Sequence, residues 1–246
     1  MRVHGHAADR YPLALVNSVN PYRIEGQTTA AFEICEALGD APDVLALPVG
    51  NGGNITAYHL GFQRCADSRR ATREPSLIGA QAAGAAPLVL GHPVDHPETV
   101  ATAIRVGRPA TWEPAIAAAR DSGGRILAVS DAAILEAWRS VARLEGIFCE
   151  PASAAGIAAL RETAHDGGIR KGARCVLRPH RQWSQGPGNG AGPGIRAGHD
   201  RAVGGRARSS AAAGQIRRPT ATTWQALPAR TNVCQTAWAY RNRPLW

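Results

Sequence analysis

The chain reads as an α/β protein, a sheet with helices on its faces, and three observations carry that expectation. Short apolar runs alternate with helical patterns through residues 7–177. One run, Val44–Val49, opens into the glycine-rich loop Gly50-Asn51-Gly52-Gly53-Asn54, after which an apolar-patterned segment starts like a helix. Another, Gly146–Cys149, opens into Glu150-Pro151-Ala152-Ser153, where proline and serine suit a helix start. Sites in such sheets lie at the carboxyl ends of strands, the position that both loops occupy.

The elements follow in order. Leu13–Val16 is a short apolar strand. Glu25–Leu38 carries Ala31, Ile34, Cys35 and Leu38 at i, i+3, i+4 and i+7, one face of an amphipathic helix. Val44–Val49 is the strand before the glycine loop. Residues 59–74 are polar, with arginines from Arg64 to Arg73, and read as irregular solvated surface. Ser76–Ala82 and Arg125–Val129 are further strands. Ser130 is a good N-cap for a helix bearing Ile134, Trp138 and Val141. Trp112 and Trp138 read as packing residues. Glu150 reads either as a carboxylate bonded to the next helix's N-terminus or as a group near a ligand, and Ser153 as a cap.

Three glycines in four positions of the 50–53 loop leave backbone N–H groups uncovered and allow φ above zero, so successive amides can turn toward one anion. The helix that follows adds unpaired N–H groups and the positive end of its dipole. A phosphate cradle and a plain tight strand-to-helix connection both fit. The loop is not a P-loop, lacking the Lys-Ser/Thr pair, nor a dinucleotide fingerprint, lacking the third glycine.

The 246 residues have a formal net charge of +9, but the charge is not evenly placed. Residues 178–246 hold 11 arginines, no lysine and one acid, Asp200, for +10, which leaves −1 for residues 1–177. The folded-looking part is therefore not a basic surface for nucleic acid. The tail is rich in glycine, proline and arginine and has no sustained apolar period, so it is expected to be disordered. Five scattered cysteines (Cys35, Cys65, Cys149, Cys175 and Cys234) fit reduced, buried thiols of a cytoplasmic protein. His4 and His6 stand together near the start, but no metal-ligand set accompanies them, and no metal site is expected. No signal peptide or long apolar run points to a membrane.

Five blocks resemble the threonine synthase family. They are Asn17-Ser18-Val19-Asn20-Pro21, Arg23-Ile24-Glu25-Gly26-Gln27, Leu47 to Ala57, Ala101 to Trp112, and Glu145 to Ala155, which come in the family's order. The resemblance implies the tryptophan-synthase-β type of fold (fold type II, three-layer α/β/α), here incomplete. It implies pyridoxal 5'-phosphate as cofactor, conversion of O-phosphohomoserine and water to threonine and phosphate, and a homodimer for the intact family. It places the cofactor's phosphate on Gly50, Asn51, Gly52, Gly53 and Asn54. A related threonine or serine dehydratase is the alternative within the fold, and nonspecific polyanion binding by the basic tail is the alternative outside it.

Chemistry of this class needs a lysine amine to form a Schiff base with the cofactor and then to move protons. Lys171, the chain's one lysine, stands in the polar turn Gly168-Ile169-Arg170-Lys171-Gly172 and reads as a surface residue. The family carries its lysine upstream of the Asn17 block, where this chain has only about fifteen residues. The chain is thus expected to be truncated at the front, with no catalytic residue of its own and no turnover as it stands. Beyond Leu177 the family continues into T-G-N-G-L-K-D-P, where this chain has His180-Arg181-Gln182-Trp183-Ser184-Gln185-Gly186-Pro187. Back-translated and moved forward by one base, those codons can read T-G-N-G-L-K-D-P. A frameshift near 175–180 is the reading that follows, with two parts: a partial enzyme domain at 7–177 and an out-of-frame tail at 178–246.

Overall fold

Strand β1 (Val44–Pro48) is buried along its whole length, as a central parallel strand must be when helices cover both faces. A computed structural model describes Ser18, residues 20–178, and two short strands at 224–226 and 238–241. The predicted strand Leu13–Val16, His4, His6, Cys234 and the rest of the tail lie outside the described residues.

The sheet runs β3-β2-β1-β4-β6-β5, with β2 at Ser76–Ala82, β3 at Arg125–Val129 and β4 at Arg174–Leu177. Strands β3, β2, β1 and β4 are parallel, in register Leu45 to Leu77 and Leu45 to Val176, while β6 (Trp238–Arg241) lies antiparallel on β4 and β5 (Trp224–Ala226) on β6. The order places β2 on one side of β1 and β4 on the other. The chain therefore changes winding direction at β1, which opens a crevice at the carboxyl end of that strand.

Side-chain alternation along β1 divides the core into two layers. Leu45, Leu47 and Val49 pack with helices α2 (Thr29–Leu38), α3 (Gly53–Asp67) and α5 (Trp112–Asp121). Val44 and Ala46 face the other way, into a layer that holds α6 (Asp131–Glu145) and α7 (Pro151–His165). This is the expected three-layer α/β/α arrangement. Two shorter α-helices, α1 (Pro21–Gln27) and α4 (Pro87–Leu90), complete the α-helices of the described residues.

Three boundaries differ from the sequence reading. The helix expected over Glu25–Leu38 is two helices: Asn20 caps the first through Tyr22 N–H, Pro21 takes its first position, and Thr28 separates it from the second. Residues 59–67 are not irregular but continue α3. Its buried stripe is Tyr58, Gly61, Phe62 and Cys65, at i, i+3, i+4 and i+7, with Gly61 letting α3 approach the Thr28 carbonyl too closely for a side chain. Gly146–Cys149 forms no strand beyond a single bridge at Cys149; the Cys149 carbonyl accepts the Trp138 indole N–H at 2.7 Å, and Phe148 is 60% exposed. Ser130 caps α6 as expected, accepting from Ala133 N–H, and Ile134 is fully buried with Trp138 and Val141 against the same layer. Trp112 packs partly buried on the opposite layer.

Candidate functional site

The glycine loop sits where the crevice opens. Its residues Gly50 to Asn54 line a cleft of about 170 Å³ together with Ser18, Arg23, Ile24 and Gln27 on one side and Ala103, Ile104, Glu150 and Ala152 on others. Two helix N-termini therefore face one space: that of α3, which begins at Gly53, and that of α7, which follows Glu150. Their dipoles both favour an anion between them.

Gly52 makes the loop possible. Its φ is +85°, and a Cβ there would lie 2.7 Å from the Thr111 carbonyl oxygen and 2.8 Å from the Ala115 Cβ. Glycine thus supplies both the left-handed turn and the close approach to α5. Asn51 joins the loop to that helix: its carbonyl accepts from Thr111 N–H at 2.9 Å and Thr111 Oγ1 at 2.7 Å, and its Oδ1 accepts from Ala110 N–H at 3.3 Å. Asn54 holds the loop from within, donating Nδ2 to the Pro48 carbonyl at 2.6 Å and accepting Ile55 N–H at 2.8 Å. Thr56 closes the first turn of α3 on the Gly52 carbonyl.

These bonds leave the N–H groups of Gly52, Gly53 and Asn54 without an acceptor among the described residues, and the first turn of α3 carries no acid to repel an anion. A phosphate fits such a cradle, because the donors are backbone groups already fixed in place. What Asn54 leaves for a ligand is its backbone N–H, its carboxamide being engaged in the loop.

The structure brings all five expected loop residues together at the cleft. Glu150 joins them: it occupies the N-cap position of α7 without a side-chain capping bond to that helix, and it lines the cleft. Ser153, expected as a cap, is buried three residues further along, inside the helix. Lys171 is exposed at the amino end of β4, the opposite edge of the sheet from the glycine loop. Thr111, Ala103 and Ile104 fall in the Ala101–Trp112 family block, but sequence reasoning gave them no place in the site, because that depends on contacts about 50–60 residues from the loop.

Cys35, Cys65, Cys149 and Cys175 are buried free thiols. Burial pushes Cys35, which also faces Cys65, up to about 12, Cys149 to about 11 and Cys175 to about 12. Among the described residues no group of His, Cys, Asp or Glu is arranged to hold a metal ion, and no helix is long and apolar enough to cross a membrane.

Comparison with known proteins gives this cleft a family. The chain is 58% identical over 170 residues to a threonine synthase of Mycobacterium bovis, which covers 69% of this chain and 47% of that protein. It is 54% identical over 172 residues to a threonine synthase of Halalkalibacterium halodurans, covering 69% and 48%. The chain spans about half the length of the curated relatives it matches. Maize serine racemase shares the fold, with a TM-score of 0.52 and 23% identity over 64% of this chain and 47% of that one. The profile of pyridoxal-phosphate-dependent enzymes matches residues 3–178, from before the glycine loop to the end of β4. The chain belongs to the family of pyridoxal-phosphate-dependent enzymes.

Proposed function

We propose that this chain is the phosphate-holding part of a threonine synthase, with O-phosphohomoserine and water as substrates and threonine and phosphate as products. The single observation that carries the reading is the cradle of free N–H groups at Gly52, Gly53 and Asn54, set at the carboxyl end of β1 between two helix N-termini. The identity of 54–58% to threonine synthases favours that reaction over a dehydratase, since the resemblance to the racemase extends only to fold.

The cofactor, when bound, supplies an electron sink for charge that develops at the substrate's carbons. The chain's own residues bind and orient. Gly52, Gly53 and Asn54 would hold the phosphate end. Among the described residues Arg23 is the one cationic side chain that lines the cleft, and it is placed to receive a second anion, the phosphate or carboxylate of the substrate. Glu150 is the one acidic group there among the described residues. No lysine lies in the cleft, so a polypeptide of these residues alone binds the cofactor without turnover, and activity depends on an amine supplied from elsewhere.

Residues 178–246 are read as out of frame: the family match ends at residue 178, and back-translated codons moved by one base can read the next family block. Sequencing the coding DNA across codons 170–190 tests this directly, an intact reading frame being the result that removes it. The function itself is tested by titrating the full chain with pyridoxal 5'-phosphate and with pyridoxal. A clear preference for the phosphorylated form is expected, with no threonine formed from O-phosphohomoserine. Equal affinity for the two would remove the cradle reading. Release of 2-oxobutyrate from threonine would turn the assignment to a dehydratase.

A further inference from the structure

Thr111 occupies the N-cap position of α5, where a threonine hydroxyl ordinarily accepts a backbone N–H of its own helix. Here it makes no such bond. The hydroxyl instead donates to the Asn51 carbonyl oxygen at 2.7 Å, beside the Thr111 N–H that donates to the same oxygen at 2.9 Å. One carbonyl thus takes both donors of one residue. The Thr111 carbonyl, for its part, rests against Gly52 at a distance that excludes any side chain.

The consequence lies across the peptide bond. In a trans peptide the C=O of Asn51 and the N–H of Gly52 point in opposite directions. No peptide bond in the described residues is cis. With the carbonyl fixed on the α5 side, the Gly52 N–H is turned away from α5 and toward the cleft that Gly52 lines. Without that hold, a peptide flanked by glycine on one side turns at little steric cost. We propose that Thr111 is a positioning residue for phosphate binding: by holding the Asn51 carbonyl it fixes the Gly52 N–H as a donor to the anion. This rests on the cradle reading given above and assigns a side chain outside the loop to that same site.

The test uses the full chain and three readouts. Wild type, Thr111→Ser and Thr111→Val are titrated with pyridoxal 5'-phosphate and with pyridoxal, and their thermal denaturation is followed in parallel. Thr111→Val is expected to lose about tenfold in affinity for the phosphorylated compound, the effect of losing one well-placed donor to a charged group, with pyridoxal affinity unchanged. Thr111→Ser, which keeps the hydroxyl, is expected to retain the preference. A folded Thr111→Val protein with the wild-type preference would overturn the proposal. If Thr111→Val does not fold, the wild type decides by amide NMR with inorganic phosphate: the Gly52 N–H is expected to shift together with those of Gly53 and Asn54. Shifts at Gly53 and Asn54 without Gly52 would overturn the role of Thr111 and leave the cradle standing. No shift at any of the three would overturn the cradle itself.

Discussion

Adjacent glycines in the loop should respond oppositely to the same substitution. At Gly52 an alanine must adopt φ near +85°, which costs a non-glycine residue roughly 1–2 kcal/mol. Its Cβ must also displace the Thr111 carbonyl, 2.7 Å away, and the Ala115 Cβ, 2.8 Å away. Both are parts of α5 or its cap, so relief requires moving a packed helix, at a cost of about 1–3 kcal/mol. Gly52→Ala is therefore expected to lose about 2–5 kcal/mol, which for a domain of this size lowers Tm by roughly 4–20 °C. At Gly53 the backbone lies outside the left-handed region, and the nearest atom to an added Cβ is Thr111 Oγ1 at 3.7 Å, an ordinary contact. Gly53→Ala removes glycine from the first turn of α3, where alanine is favoured by about 0.5–1 kcal/mol. Its Tm should rise by roughly 1–4 °C. Circular dichroism melts of the full chain without ligand measure both. A Gly52→Ala protein as stable as wild type, or a Gly53→Ala protein as unstable as Gly52→Ala, would refute the geometry assigned to the loop.

Three more predictions follow from the same structure. Trp138→Phe keeps most of the ring but leaves the Cys149 carbonyl without its indole donor, so a loss of about 1–3 kcal/mol is expected in the denaturant midpoint. The buried thiols make stability pH-dependent on the alkaline side. A raised thiol pKa stabilises the fold in full below the unfolded value of about 8.5, and that contribution is lost as pH rises through the folded values of about 11 to 12. Denaturant midpoints should accordingly fall from about pH 8.5 upward, and native Cys35, Cys149 and Cys175 should resist thiol reagents at pH 8, whereas a flat alkaline profile would contradict their burial. Lys171→Ala should leave affinity for pyridoxal 5'-phosphate unchanged, because the residue lies at the amino edge of the sheet; a weakened complex would place the cofactor elsewhere.

The part of the site that was legible in the sequence is the part built from local signals. An apolar run, a cluster of glycines and a following helix are read from a dozen consecutive residues, and Val44 to Asn54 fold accordingly. Helix α3 was cut short in the sequence reading because its buried stripe includes Gly61, which carries no apolar signal, and because Arg64, Arg69, Arg70 and Arg73 dominate the composition. Gly146–Cys149 has strand composition, but a strand needs a neighbour, and pairing is a non-local property that four apolar residues do not encode. Thr111 was illegible for the same reason. A threonine before a helix predicts a cap, and only the fold shows that Asn51, 60 residues earlier, receives its hydroxyl instead.

That division bears on how binding and catalysis separate in this chain. In the cradle proposed above, a phosphate is met by backbone N–H groups of a loop that is held by the bonds from Thr111 to the Asn51 carbonyl and from Asn54 to the Pro48 carbonyl. Such a site persists wherever β1, α3 and α5 pack as they do here, whatever happens at other side chains. Catalysis in this class instead requires one amine at one place, and no packing arrangement can substitute for it. Lys171 cannot reach the loop from the opposite edge of the sheet, so it does not restore what the cleft lacks. The two functions should therefore come apart in a single experiment. The 246-residue chain should discriminate pyridoxal 5'-phosphate from pyridoxal while producing no threonine. Product formed by the chain alone would show that another group serves as the amine and would end the argument for separation.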